Sequence, residues 1–506
     1  MIDQLPDELI VLIAVCVLDI SSSRIPLVIG SAEEAMHGLG STSRRMRRLA
    51  KAALAYRPDV WLRVSGCASA AECVFAFPDA PSLSVDAQVE ARLLAIAMRS
   101  RGARSIRNLC VGGIISSART GRELMVAIAT TGVRTLDITI SHAGSIHLVS
   151  TLERLKLLSS TIKTAACIAR ITSLRELVLA SCHQLKDIRP IATLTSLTKL
   201  EVSHCSRVRD VSALAALSLL VELTVVSTSN RLAGLGALAS LQGLRCFTVR
   251  RAAVPVRYIA CLTNLETLKM QCVWPARPTL RPLAALEALR SLEFDGDRAR
   301  GFMVRPIGMH TMHGLTALRL IRCDMPDGRD CITHLLALRE LYLSEIHQMR
   351  TLPIHALTRL AVLGVHRCPA LEDASALTGL VQLRELTATS CPRLLDLTHV
   401  AILTRLESMD IMCNEPDDIG SLVQLTRLRR LRMWVTGGIH GLDSLRLLSS
   451  LTDLHIGSFP HTTDIRPVRA MTSLVSVSLT GCNAELFASV GDRDAAVHAY
   501  RPATML

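Results

Sequence analysis

A chain of 506 residues would ordinarily divide into about three domains of roughly 150 residues each, yet 49% apolar against 3% aromatic residues asks for a core of Leu, Val, Ile and Ala rather than rings. No apolar run approaches the ~20 residues of a membrane-spanning helix, and the longest near the start, Ile10 to Leu18, follows Asp3, Asp7 and Glu8 instead of a basic leader, which argues against a signal peptide. The net charge of +13 rests on 57 basic residues, 51 of them Arg, so a nucleic-acid role has to be judged from where those charges fall.

Residues 1–66 come first. Leu5-Pro6-Asp7-Glu8-Leu9 opens like a helix, with Pro near the first turn and acids where the helix dipole favours them. Leu5, Leu9, Leu12, Ile13 and Cys16 then recur at helical spacing. A second cluster, Ser43-Arg44-Arg45-Met46-Arg47-Arg48-Leu49-Ala50, is followed by Tyr56-Arg57-Pro58-Asp59-Val60-Trp61. Together these features resemble an F-box, with two departures: Met46 stands where that family usually has an aromatic residue, and the stretch from Asp19 to Gly40 is longer and less helical. The resemblance implies a Skp-type adaptor gripped through Leu5, Pro6, Leu9 and Ile13. The same segment also fits a plain helical cap, which a repeat array needs to cover its first open edge. Arg44 to Arg48 reads as a solvated helix face beside Met46 and Leu49. Residues 67–100 read as a linker and helical cap.

From 101 to 482 the chain repeats itself. On the frame L-x-x-L-x-L, anchors recur at Leu174, Leu197, Leu220 and Leu244 and continue to Leu451 and Leu474, fourteen in about 300 residues. Looser copies begin at Ile106, Val133 and Leu152, making about seventeen units. In Leu197-Thr198-Lys199-Leu200-Glu201-Val202 the fourth and sixth positions share one face of a short strand, and Lys199, Glu201 and Ser203 share the other. One unit cannot bury its apolar face alone, so neighbours are expected to stack into a curved parallel sheet joined by short helical or irregular returns. The ninth position, where the chain leaves the strand, holds Cys182, Cys205, Cys323, Cys368, Cys391 and Cys482, and Asn414 in one unit. Small side chains that can bond the backbone suit that bend, and these cysteines are expected to stay reduced thiols.

Units such as Leu174 to Asp187 resemble the cysteine-containing leucine-rich repeats common in F-box/leucine-rich-repeat proteins, which carry Cys at this turn and Asp shortly after, as at Asp187, Asp210, Asp373 and Asp396. Their 22–23 residue rhythm is also similar to repeat proteins of kinetoplastid protozoa. The fold class expected is therefore α/β, a leucine-rich-repeat solenoid behind a small helical F-box-like domain, with 483–506 as a C-terminal cap or tail.

No phosphate loop, zinc helix, nucleophile elbow or calcium loop is present, so neither an enzyme nor a cofactor is indicated. His310 and His313 lack a third ligand and read as surface residues. Frame positions three, five and seven, predicted to line the concave face, carry ten acidic and eight basic side chains. That near-neutral balance disfavours a nucleic-acid groove and points to a protein ligand. Arg430, Arg432 and Trp434 project from one strand, and Tyr342 is the other aromatic candidate; Trp and Arg are the commonest binding anchors. The expected role is substrate recognition within an SCF-type cullin-RING ubiquitin ligase, in cytosol or nucleus, or an assembly scaffold whose N-terminal helices only cap the array.

Overall fold

The computed structural model describes most of residues 106–480, leaving aside short stretches of which the longer are 272–279, 297–306, 326–331, 392–396, 414–418, 436–440 and 458–467, together with brief segments between 27 and 104. The chain divides into two compact units, Met1–Val254 and Pro255–Leu506.

In the first unit every strand lies parallel to the next in chain order: β1 (Leu27–Val28), β2 (Leu62–Val64), β3 (Ser82–Val85), β4 (Asn108–Ile115), β5 (Thr135–Ile140), β6 (Arg154–Leu158), β7 (Glu176–Ala180), β8 (Lys199–Ser203), β9 (Glu222–Val226) and β10 (Cys246–Arg250). The ladder includes β1 to β3, ahead of residue 101. The second unit repeats the scheme with β11 (Thr267–Gln271), β12 (Ser291–Asp295), β13 (Ala317–Ile321), β14 (Glu340–Ser344), β15 (Val362–His366), β16 (Glu385–Thr389), β17 (Ser408–Cys413), β18 (Arg430–Val435), β19 (Asp453–Gly457) and β20 (Ser476–Thr480). The strands β4 to β20 number seventeen, one for each unit expected from the frame.

Five-residue strands form here because the fourth and sixth frame positions are apolar and their neighbours are not. In β7, Leu177 and Leu179 are fully buried while Glu176, Val178 and Ala180 are half-buried on the other face. Registers are equally regular: Leu177 stands beside Leu200, and Leu200 beside Leu223. Each leucine thus packs on the same leucine of the next unit, and burying one contributes roughly 1.5–3 kcal/mol.

The returns are mostly single 3-10 turns, such as Arg189–Thr193, Ser212–Ala216 and Ser375–Gly379. Their backbone donors are satisfied three residues back, as Leu194 N–H to Ile191 at 2.9 Å and Leu197 N–H to Leu194 at 3.0 Å. The recurring aspartates open these turns. Asp187, Asp210 and Asp373 each accept the backbone N–H two residues on, at 3.0, 2.9 and 2.7 Å. The Arg189 side chain, bonded to Asp187, also holds that carboxyl below its ordinary range. One longer helix, α1 (Ala118–Ala129), lies between β4 and β5 and buries Leu124, Met125 and Ile128.

The turn cysteines occupy the slots expected of them. Cys182, Cys205, Cys323, Cys368 and Cys391 are buried free thiols; Asn414 and Cys482 lie outside the described residues. The Cys205 thiol donates to the Leu179 carbonyl of the preceding unit at 3.5 Å and to Ser203 at 3.4 Å. The neighbouring Cys182 sulfur, and then burial, hold the Cys205 thiol well above its ordinary range, and Cys391 does the same to Cys368. Such thiols are poor nucleophiles.

The residue ahead of each cysteine was not anticipated. Ser181, His204, Arg322, Arg367 and Ser390 all adopt left-handed backbone conformations, with φ between 51° and 57°. That twist lets the residue's own N–H extend the ladder, as from His204 to the Val226 carbonyl at 2.8 Å, while the chain turns inward to bury the cysteine.

Candidate functional site

Frame positions three, five and seven form the open face of each sheet, and the parallel register lines them up in rows across the strands. In the first unit opposite charges in these rows close on each other. Lys156 reaches Asp137 at 3.0 Å, Arg154 reaches Glu176 at 3.0 Å, and Lys199 reaches Glu222 at 2.7 Å. Within these three pairs each charge is neutralised by its neighbour.

The second unit's face carries two aromatic features. On β14, Tyr342 is half-buried between its row neighbours Arg319 and Gly364. The Arg319 guanidinium lies 4.7 Å from the ring centre, a cation–π arrangement. On the other side, a Cβ at Gly364 would fall 2.5 Å from Tyr342 Cδ1, so only glycine gives the ring its bed. Gly364→Val is expected to displace the ring and cost about 1–3 kcal/mol. Urea unfolding checks this, and in a Tyr342→Ala background the same substitution should cost far less.

The other feature is on β18, where exposure alternates strictly. Leu431, Met433 and Val435 are buried, while Arg430, Arg432 and Trp434 face outward. Trp434 is 41% exposed, and its ring meets that of His455 on β19 at a centroid distance of 4.9 Å, tilted by 54°. Around them opens a cleft of about 390 Å³ lined by Asp410, Arg432, Trp434, Asp453, Leu454, His455, Ser476 and Ser478. Small residues stand beside both rings on the next strand: Trp434 is in register with Gly457, and His455 with Ser478.

Asp410, Arg432 and His455 are consecutive members of one row. Asp410 Oδ1 and His455 Nε2 are buried without a hydrogen-bond partner among the described residues. Burial pushes the Asp410 carboxyl up, against the pull of Arg432 and His455. Burial, then Arg432, pushes the His455 imidazole down, with Asp410 opposing. His455 is therefore predominantly neutral near pH 7.

The sequence-predicted residues divide accordingly. Arg432 and Trp434 line the cleft, and Arg430 sits beyond its lining on the same strand. Tyr342 belongs to a separate feature four strands away, roughly 19 Å at the usual spacing. Leu5, Pro6, Leu9 and Ile13, with the rest of the F-box-like helices, lie outside the described residues. Missed in the sequence reading was His455, although its frame position matched that of Arg432 one unit earlier. Asp410 and Asp453 are two of the ten acids at the open-face frame positions, and nothing in the sequence joined them to the tryptophan.

No family model matches the chain, and no curated protein matches its sequence. Solved structures do. A TLR13–ssRNA13 complex is 17% identical over 81% of this chain and 62% of that one, with a TM-score of 0.54. An internalin from Listeria monocytogenes is 21% identical over 68% of this chain and 84% of that one, with a TM-score of 0.37. A leucine-rich-repeat protein of Leptospira interrogans is 14% identical over 83% of this chain and 94% of that one, with a TM-score of 0.43. At these identities the likeness is one of fold. One strand per unit of about 23 residues, stacked leucines and 3-10 returns among the described residues make the fold a leucine-rich-repeat solenoid.

Proposed function

We propose that this chain is a protein-binding scaffold that holds its ligand in the cleft around Trp434. The observation that carries the reading is an exposed tryptophan lining a cleft beside acids and a guanidinium that form no ion pairs with one another among the described residues. Buried aromatic anchors ringed by polar groups are how protein interfaces concentrate their energy. The site is tested by crosslinking from β18 with a photoreactive residue at position 430, followed by identification of the crosslinked partner segment. Crosslinks to one reproducible protein segment, lost when Trp434 is replaced, support the reading; RNA or no specific product overturns it.

The finer proposal is substrate recognition within an SCF-type ubiquitin ligase. It rests on Leu5-Pro6-Asp7-Glu8-Leu9 and the Arg-rich cluster ahead of leucine-rich repeats. The full chain is expected to co-purify with a Skp-type adaptor, and Leu9→Asp to reduce recovery at least about tenfold by placing a charge in an apolar contact. Wild-type chain that recovers no adaptor would leave the scaffold reading standing without its link to ubiquitin.

A further inference from the structure

The cleft's own charge points to the chemistry of its guest, an inference that rests on the protein-binding reading above. Two carboxylates, Asp410 and Asp453, line it against one guanidinium, Arg432, and the fourth titratable group, His455, is held towards neutrality. Elsewhere on the open faces several acids have closed on a base, as Asp137 on Lys156, Glu176 on Arg154 and Glu222 on Lys199. Here neither carboxylate pairs with Arg432 within 4.0 Å among the described residues. Asp453 instead accepts the Thr452 hydroxyl at 2.7 Å, and Asp410 keeps an oxygen without a partner. The lining is thus left with two carboxylates against one guanidinium and with unused acceptor capacity, while Arg430 stands beside Asp453 in the register just outside it.

We propose that the cleft receives a lysine or arginine side chain from an extended segment of the bound protein, with its cationic head among the Asp410 and Asp453 carboxylates and its stem along Trp434. The exposed indole face attracts a cation through its quadrupole and covers the alkyl stem. Ser476 and Ser478 supply hydroxyls at the remaining wall. An acidic guest would meet two carboxylates at close quarters, and an apolar guest would bury them further without giving either a donor. A volume of about 390 Å³ lies at the lower end of small-ligand pockets, so it admits one long side chain and leaves the rest of the segment on the sheet face. Long-range attraction cannot mimic this selectivity, because a chain of charge +13 repels a basic probe and draws an acidic one.

The test uses the full chain and short fluorescent Gly/Ser peptides whose central residues are lysine, alanine or glutamate, at about 0.15 M salt, where long-range terms are screened. The lysine peptide is expected to bind about tenfold more tightly than the alanine peptide, the equivalent of one charge-assisted contact plus a cation–π contact. An Asp410→Asn, Asp453→Asn double variant keeps size and shape, and should erase that advantage while its circular dichroism and unfolding midpoint stay near wild type. Equal binding of lysine and alanine peptides, or a glutamate peptide whose tighter binding depends on the cleft residues, overturns the proposal. So does an oligouridylate that binds and gains affinity in the double variant, since that is the signature of a phosphate ligand. A protein segment that crosslinks to β18 but ignores these substitutions sinks only the charge assignment, whereas absence of any protein crosslink there sinks the binding reading itself.

Discussion

Replacing Phe294 with alanine is expected to destabilise the second unit by about 3–5 kcal/mol, the usual cost of emptying a buried aromatic slot. Phe294 is fully buried on β12, where the register sets it between Met270 and Leu320 in a row that is otherwise aliphatic. A ring in a row of leucine-sized side chains is held by neighbours from both sides, and they cannot all close the void without shifting strand spacing. Phe294→Leu, which keeps most of the volume, should cost less than about 1.5 kcal/mol. Urea unfolding of the full chain, followed by hydrogen exchange, separates the effect by region: protection should fall first in β11 to β13, because a repeat array couples mainly neighbours. A loss below about 1 kcal/mol for the alanine variant would show that the slot collapses freely.

Trp434→Ala is expected to weaken binding of the protein ligand by about 2 kcal/mol or more, roughly thirtyfold, if the ring is the anchor. The substitution is unusually clean structurally. Trp434 is 41% exposed on the open face, its ring against that of His455, while Met433 and Val435 on the same strand are buried on the opposite face. Arg430→Glu should act differently. Beyond the cleft lining and solvent-exposed, it is placed to change association rate and salt dependence more than dissociation. Titration of the crosslink-identified segment against both variants decides it. Unchanged affinity for Trp434→Ala, with the unfolding midpoint intact, would reduce the indole to surface covering.

The repeat architecture could be read in advance because it is written locally. Leu197, Leu200 and Val202 lie within six residues, and their alternation specifies a strand whatever the units on either side contain. The left-handed residues resisted such reading. Ser181, His204, Arg322 and Arg367 share no side-chain chemistry, and what unites them is the place where the chain leaves the strand, which Ser159, Arg251 and Glu345 also occupy with no cysteine following. Gly364 was overlooked for a related reason: a glycine inside a strand looks like a weakness until Tyr342, 22 residues earlier, is seen lying across it. Arg432 and Trp434 were legible as one exposed strand face. The cleft was not, because its lining also takes Asp410, His455 and Ser478, residues on three other strands. A site assembled across units depends on register, and register emerges only once the units stack.

The paired charges of the first unit carry a consequence for how such a gene can change length. Along one row the residues Arg154, Glu176, Lys199 and Glu222 alternate in sign from strand to strand. Recombination between equivalent codons that excised the unit of Glu176 would preserve every leucine contact yet set Arg154 against Lys199. Excising the units of Glu176 and Lys199 together would join Arg154 to Glu222 and keep the row in balance. Hydrophobic stacking alone is indifferent to the number of units removed. Electrostatics makes the pair, rather than the single repeat, the natural quantum of loss or gain in this part of the chain.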